Sequence, residues 1–330
     1  MIKYFNTGYV SRYVLVIIIA IIIWIPSLII PENYSGVTSY AYGIILELLG
    51  NSTLAITLIS LFLTLFTALL LNLYAINSGI VGKVSTLAFA LFVIFSSTLT
   101  GEFHNNPAIW INFILVFVWM NLMQLPYKLN TIPIIFNASF LVGVASLFYS
   151  QLVFLFILIW MAIFIHRIVT WRNLVVTLIG VTIPYFFLLT WFYFTEMLLE
   201  ESYVLFNSLK FDFFLLYPTD LLNITVLAIV VPLLIITVLG VIGRLNENSI
   251  NRRRNLLITV VYFFIILLIL IVFSKSLNNL LLLAIPSVLL ISYWVSNQKY
   301  TKWYNITLSV LLLIIIVNQY LPLVYYWLDI

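Results

Sequence analysis

Between Ile134 and Ile165 the chain reads IIFNASFLVGVASLFYSQLVFLFILIWMAIFI, an uncharged apolar run broken only by Tyr149-Ser150-Gln151. Taken whole, it is one long bent helix. Taken in two, it is a tight hairpin of membrane spans, 134–149 and 151–166. The choice decides the topology, because every later segment changes sides with it. A single helix puts Arg167 and Arg172 outside and inverts the Arg252–Arg254 cluster. The hairpin keeps them inside, where the short loops of membrane proteins concentrate Lys and Arg. The hairpin is therefore the expected form.

The rest of the chain has the same character. Of 330 residues, 65% are hydrophobic and 7% charged, against about 25% charged in soluble domains. A crossing takes roughly 20 apolar residues. Breaking the chain at polar and turn residues gives spans near 13–30, 53–73, 84–100, 107–125, 134–149, 151–166, 173–195, 221–243, 255–273, 279–296 and 304–328. The expected fold is all-α, a polytopic transmembrane helical bundle of about eleven spans, forming one membrane domain with its N-terminus inside. The first span follows Lys3 and Arg12, and Ile29-Ile30-Pro31-Glu32 offers no small-residue cleavage site, so it reads as uncleaved. On this map only Lys210 and Lys275 among the cations lie outside. Glu247 is the only inner carboxylate.

Several function classes fall away. There is no cysteine, hence no disulfide, thiolate metal site or cysteine nucleophile. The net charge of +4 and pI near 9.1 come from span ends, so no nucleic-acid partner is expected. Neither GxGxxG nor GxxxxGK[ST] occurs, which argues against a nucleotide-driven pump. His104 and His166 fall on opposite faces. Every Asp, Glu, Lys and Arg sits at a span end or in a loop, unlike the midplane charges of ion-coupled carriers.

The outer loops hold the candidate chemistry. In Pro31–Ser52, the residues Val37, Ala41, Ile44, Ile45 and Leu48 make one apolar helical stripe, which predicts an interfacial helix after span 1. Glu32 stands before it as a candidate general base, or as an ordinary loop glutamate. Glu102, His104, Asn105 and Asn106 offer oxygen and nitrogen ligands, though Asn-Asn-Pro is also turn chemistry. If span 7 continues outward, Glu196, Glu200 and Glu201 share a helical face and invite a divalent cation. The Thr195–Asp220 loop also carries aromatics expected to hug the membrane surface. Its Lys210, like Lys275, reads either as a phosphate contact or as a snorkelling lysine. Ser139, Gly143, Ser146 and Ser150 form a small-residue face suited to close helix packing. Pro184, Pro232 and Pro286 are expected to kink their spans. The Arg244 and Arg252–Arg254 patch reads as an orientation signal touching anionic headgroups.

The segments Phe136-Asn137-Ala138-Ser139-Phe140-Leu141-Val142-Gly143-Val144-Ala145-Ser146-Leu147-Phe148-Tyr149, Trp171-Arg172-Asn173, Gly180-Val181-Thr182-Ile183-Pro184-Tyr185 and Gly82-Lys83-Val84-Ser85-Thr86 resemble a bacterial membrane family, domain of unknown function 6427. The likeness covers about residues 1–200 and implies a polytopic inner-membrane protein. It implies no particular activity. More distantly, the layout is similar to the C-type glycosyltransferases, which use polyprenyl-phosphate sugar donors. In that superfamily an acidic residue follows span 1, an interfacial helix comes next, and a functional outer loop follows span 7. Glu32, the Val37–Leu49 helix and the Thr195–Asp220 loop match those places. Where the superfamily often has Asp or an acidic pair, this chain has one Glu.

The expectation is a transferase on the outer face of the bacterial inner membrane, using a polyprenyl-phosphate-linked sugar. Glu32 is its base, Glu102 and Glu200 assist or hold a divalent metal, and Lys210 faces phosphate. Membrane lipids are the expected partners. The alternatives are a lipid flippase or carrier, expected to have a groove open to both leaflets, and a structural subunit of an envelope complex.

Overall fold

The structure is a computed structural model that describes residues 5, 9–30, 39–82, 85–97, 105–128, 130–208, 221–273, 277–298 and 302–327. Among the described residues there is no strand. The helices are α1 (Val10–Ile29), α2 (Tyr40–Leu48), α3 (Thr53–Asn77), α4 (Leu87–Ser96), α5 (Pro107–Gln124), α6 (Ile132–Phe148), α7 (Phe156–His166) and α8 (Trp171–Phe194). They are followed by α9 (Leu198–Ser208), α10 (Leu221–Gly243), α11 (Ile250–Phe273), α12 (Ala284–Ser296) and α13 (Lys302–Trp327). Short 3₁₀ segments, Ser150–Leu155 and Leu277–Leu283, lead into α7 and α12.

Eight helical stretches are long and apolar enough to cross a membrane, those of α1, α3, α5, α8, α10, α11, α12 with its 3₁₀ lead, and α13. Shorter apolar helices, Leu87–Ser96, Ile132–Phe148 and Ser150–His166, occupy the places of the third, fifth and sixth expected spans. Exposed tryptophans mark both ends of the peripheral helices. On α8 they are Trp171 and Trp191, and on α13 Trp303 and Trp327. At 1.5 Å per residue these pairs lie about 30 and 36 Å apart, close to the thickness of a bilayer core.

The α6–α8 seam shows that the run is two helices joined by a turn rather than one bent helix. A Cβ added to Gly180 would fall 2.9 Å from the Ser139 Cβ, and one added to Gly143 would fall 2.8 Å from the Pro184 Cγ. Residue numbers rise together on both helices, so α6 and α8 run parallel. The chain between them must therefore return, and it does so through the 3₁₀ turn and α7. Tyr149 makes the break with extended backbone at φ −145° and ψ 99°. The small-residue face is thus the contact with α8, where backbone approach is limited only by Ser and Gly side chains.

The helix α4 lies at the centre, with all ten of its residues buried. It packs against α1, α3 and α12. Around this centre α13 bridges α1 and α10, while α5, α6 and α8 pack in succession on one flank and α7 packs on α11. At about 15 Å, α4 is half the length of a crossing. It stops at Ser96, where the sequence turns to Ser97-Thr98 and the hydroxyls of Ser96 and Ser97 both donate to the Val93 carbonyl, at 3.0 and 2.8 Å. Such back-bonding competes with the next helical turn.

Three expectations are corrected. The helix α11 begins at Ile250 rather than near residue 255, so Arg252–Arg254 lie within its first turns and not in a loop. Pro286 is the third residue of α12, where the ring displaces no helical hydrogen bond, so it marks a start and not a kink. The seventh span does not continue outward through Glu196 to Glu200. The helix α8 ends at Phe194, and Glu196 takes a left-handed conformation at φ 60°. The Met197 N–H reaches back to the Phe192 carbonyl (3.1 Å) and that of Glu196 to Tyr193 (3.3 Å), the Schellman arrangement that closes a helix. Glu196 therefore sits in the turn before α9 and shares no helical face with Glu200 and Glu201.

Candidate functional site

The candidate catalytic and binding residues Glu32, Glu102 and Lys210 lie outside the described residues, as do Val37 and His104. Glu200 falls on α9, its backbone described and its side chain not. What the structure does describe is the frame on which the acidic segments hang, and α2 is its centre. Ser39 caps α2 by accepting from the Tyr42 N–H (3.3 Å), which starts the helix three residues later than Val37. Ile44 and Leu48 of the expected apolar stripe are exposed. Tyr42, off that stripe, is fully buried.

Two tyrosines tie α2 to the other outer segments. The Tyr42 hydroxyl donates to the Asn105 carbonyl. Tyr40 accepts a hydrogen bond from the Trp191 indole N–H (2.7 Å) and meets the Phe192 ring edge-on at 4.8 Å. The helix after Glu32, the turn after Glu102 and the end of α8 before Glu196 are thereby joined. Asn106 caps α5, its Oδ1 accepting from the Ala108 N–H at 2.8 Å, with Pro107 at the first helical position. Asn106 is therefore a structural cap, as the turn reading has it. Sequence reasoning missed Tyr40, Tyr42 and Trp191, because contacts across such separations leave no local spacing to read.

Inward from this end lies an apolar cavity of about 90 Å³. Phe95 at the end of α4, Val226 and Val230 on α10, and Leu281, Ala284 and Ser287 around the start of α12 line it. Its one hydroxyl, Ser287, donates to the Leu283 carbonyl at 2.6 Å. One wall is thus 3₁₀ backbone, which is tolerated at membrane depth only when its carbonyls find partners. Asn112 of α5 supplies one by donating to the Leu281 carbonyl at 2.9 Å. Among the described residues nothing charged lines the space, so its chemistry suits a hydrocarbon chain. Among the described residues, no three His, Asp or Glu side chains gather to hold a metal ion.

The opposite end is tied together by polar and aromatic contacts. Asn72 on α3 donates to the Tyr13 hydroxyl (2.9 Å) and the Ser85 carbonyl (3.0 Å), while its Oδ1 accepts from the Phe89 N–H (3.4 Å). Arg252 donates to the Ile80 carbonyl (3.1 Å) and Asn255 to that of Ser78 (3.1 Å). Asn248 donates to the Tyr293 hydroxyl (2.7 Å), and the Trp294 indole to the Tyr304 hydroxyl (2.6 Å). Arg244 covers the Trp294 ring at 4.6 Å and Arg252 the Tyr293 ring at 5.0 Å, cation–π contacts that strengthen as water is excluded. No such layer was legible in advance, since its partners lie on different helices and loops and meet only on folding.

Compared with known proteins, the chain matches no family model, no curated protein and no solved structure. The described frame therefore carries the functional reading: outer segments joined on α2, an apolar cavity, and an opposite end tied by hydrogen bonds and cation–π contacts.

Proposed function

We propose that this multi-pass membrane protein resides in the bacterial cytoplasmic membrane, crosses it eleven times with its N-terminus inside, and transfers a sugar from a polyprenyl-phosphate donor at the outer face. The observation that carries the reading is the joining of the three outer segments through Tyr40 and Tyr42 of α2. Those segments hold eight of the chain's ten carboxylates, Glu32, Glu47, Glu102, Glu196, Glu200, Glu201, Asp212 and Asp220. The apolar cavity below supports it, since a lipid-linked donor needs a place for its chain beside the polar chemistry. In this reading Glu32 is the base and Lys210 meets the donor phosphate. Glu102 and Glu200 assist or hold a divalent cation. The similarity of layout to C-type glycosyltransferases agrees with that order of parts.

The flippase reading needs a path open to both leaflets, and the hydrogen-bonded basic end argues against one. The structural-subunit reading has no particular contact in its favour. The deciding experiment supplies the purified protein in lipid with a radiolabelled polyprenyl-phosphate sugar and follows release of the label from the lipid, with and without a chelator of divalent metal. Transfer is expected from the wild type, with a loss of about 100-fold or more in Glu32→Gln, the scale of removing a general base. Unchanged transfer in that variant removes Glu32 from its role. No release by the wild type from any lipid-linked donor removes the enzyme reading.

A further inference from the structure

The three consecutive arginines of α11 do different things. Arg252 is drawn inward to the Ile80 carbonyl and the Tyr293 ring. Arg253 is exposed and reaches Asn246 at 3.5 Å. Arg254 is half-buried and hydrogen-bonds none of the described residues. It stands near the start of α11, which packs against α7, and His166 is the last residue of α7.

His166 is the unusual partner. It is only 6% exposed, and neither ring nitrogen has a hydrogen-bond partner among the described residues. An imidazole always carries at least one N–H donor, and a buried donor left unmet is unfavourable. The turn that follows brings two exposed cations, Arg167 at φ 60° and Arg172 beside Trp171. Exposed Trp171 places this turn at the level of lipid headgroups. The N-termini of α8 and α11 both open at this end, and helix N-termini favour anions. Among the described residues, Glu247 is the one carboxylate at this end, set against nine Lys and Arg side chains.

We propose that the seam between α7 and α11 binds the phosphate of an anionic membrane lipid, with Arg254 as its charged partner and His166 as the hydrogen-bond donor beneath it. The site is independent of the transferase reading and lies at the other end of the molecule. Arg167 and Arg172 flank it and add charge without fixing position. An anion there satisfies the imidazole donor and neutralises Arg254 in one step, which a zwitterionic headgroup does less well.

The test compares two adjacent variants of equal charge, Arg254→Gln and Arg253→Gln, in the full-length protein. Titration with phosphatidylglycerol or phosphatidylcholine in mixed micelles is read by thermal stabilisation and by lipid retained in native mass spectrometry. The expected result is about a tenfold loss of phosphatidylglycerol affinity in R254Q, the worth of one charge-assisted hydrogen bond, and under about twofold in R253Q. Arg254→Lys, which keeps charge and fold, should fall between. Equal losses in R253Q and R254Q, or wild-type binding no tighter to phosphatidylglycerol than to phosphatidylcholine, overturn the proposal. Stabilisation by inorganic phosphate with none by the lipid overturns the lipid assignment and gives the site to a free phosphate.

Discussion

Replacing Asn72 with leucine removes a side chain that serves three elements at once. Asn72 is fully buried. The substitution preserves approximate volume, so the cost comes from hydrogen bonding and not from a cavity. It strands the Ser85 carbonyl and the Phe89 N–H, the latter one of the first-turn donors of α4 that no helical carbonyl can satisfy. Each stranded buried group costs about 1–3 kcal/mol, so the pair costs about 2–6 kcal/mol. Tyr13 adds little, being partly exposed and able to turn to other partners. For a chain of 330 residues, an unfolding entropy of about 2 cal/mol/K per residue converts this to a fall in Tm of roughly 3–9 °C. The assay is thermal unfolding of the detergent-solubilised protein followed by tryptophan fluorescence. Asn121→Leu is the matched control, because Asn121 donates only to Phe117 of its own helix, and a shift under about 1 °C is expected there. Equal shifts for the two variants would refute the claim that Asn72 holds α1, α3 and α4 together.

Gly180→Val drives a side chain into Ser139 across the α6–α8 seam and should cost about 1–3 kcal/mol, part of which Ser139→Ala returns; denaturation of the single and double variants measures the coupling. Because the chain has no cysteine, single cysteines report sidedness directly. Ser150→Cys and Glu196→Cys should react with an impermeant thiol reagent from the same side of the membrane and Asn248→Cys from the other, and labelling of Ser150→Cys together with Asn248→Cys would rule out the hairpin. Trp294→Leu removes both the Arg244 contact and the Tyr304 hydrogen bond at the basic end. It should destabilise by about 2–4 kcal/mol in the same unfolding assay, the sum of a lost aromatic packing contact and one stranded polar group.

Most helix positions were legible because charges and turn residues punctuate an otherwise apolar chain. The run 221–243 became α10 without adjustment, and 107–125 became α5 because Asn106-Pro107 is both a cap and a start. The hairpin was legible for a different reason. Charge placement on distant loops constrained a segment that carries no charge itself. Hydropathy does not mark where a helix stops, however, and so α4 proved short and α8 ended before its glutamates. Two serine hydroxyls stand at the first ending and a left-handed Glu196 at the second, both matters of backbone hydrogen bonding. The roles of Tyr40, Tyr42, Asn72 and His166 were not legible, because each depends on a partner brought close only by folding.

The shortness of α4 bears on how the chain is made. A helix of about 15 Å cannot by itself shield its ends from hydrocarbon. Of its neighbours, α1 and α3 are already synthesised when it leaves the ribosome, whereas α12 follows nearly two hundred residues later. During that interval α4 depends on the N-terminal partners, where the Phe5 carbonyl accepts from the Thr86 N–H (2.8 Å) and hydroxyl (3.0 Å) and Asn72 holds its first turn. The centre of this protein is therefore completed late in biogenesis, and a chain truncated before α12 exposes to lipid and to quality-control proteases a segment that the finished molecule hides entirely.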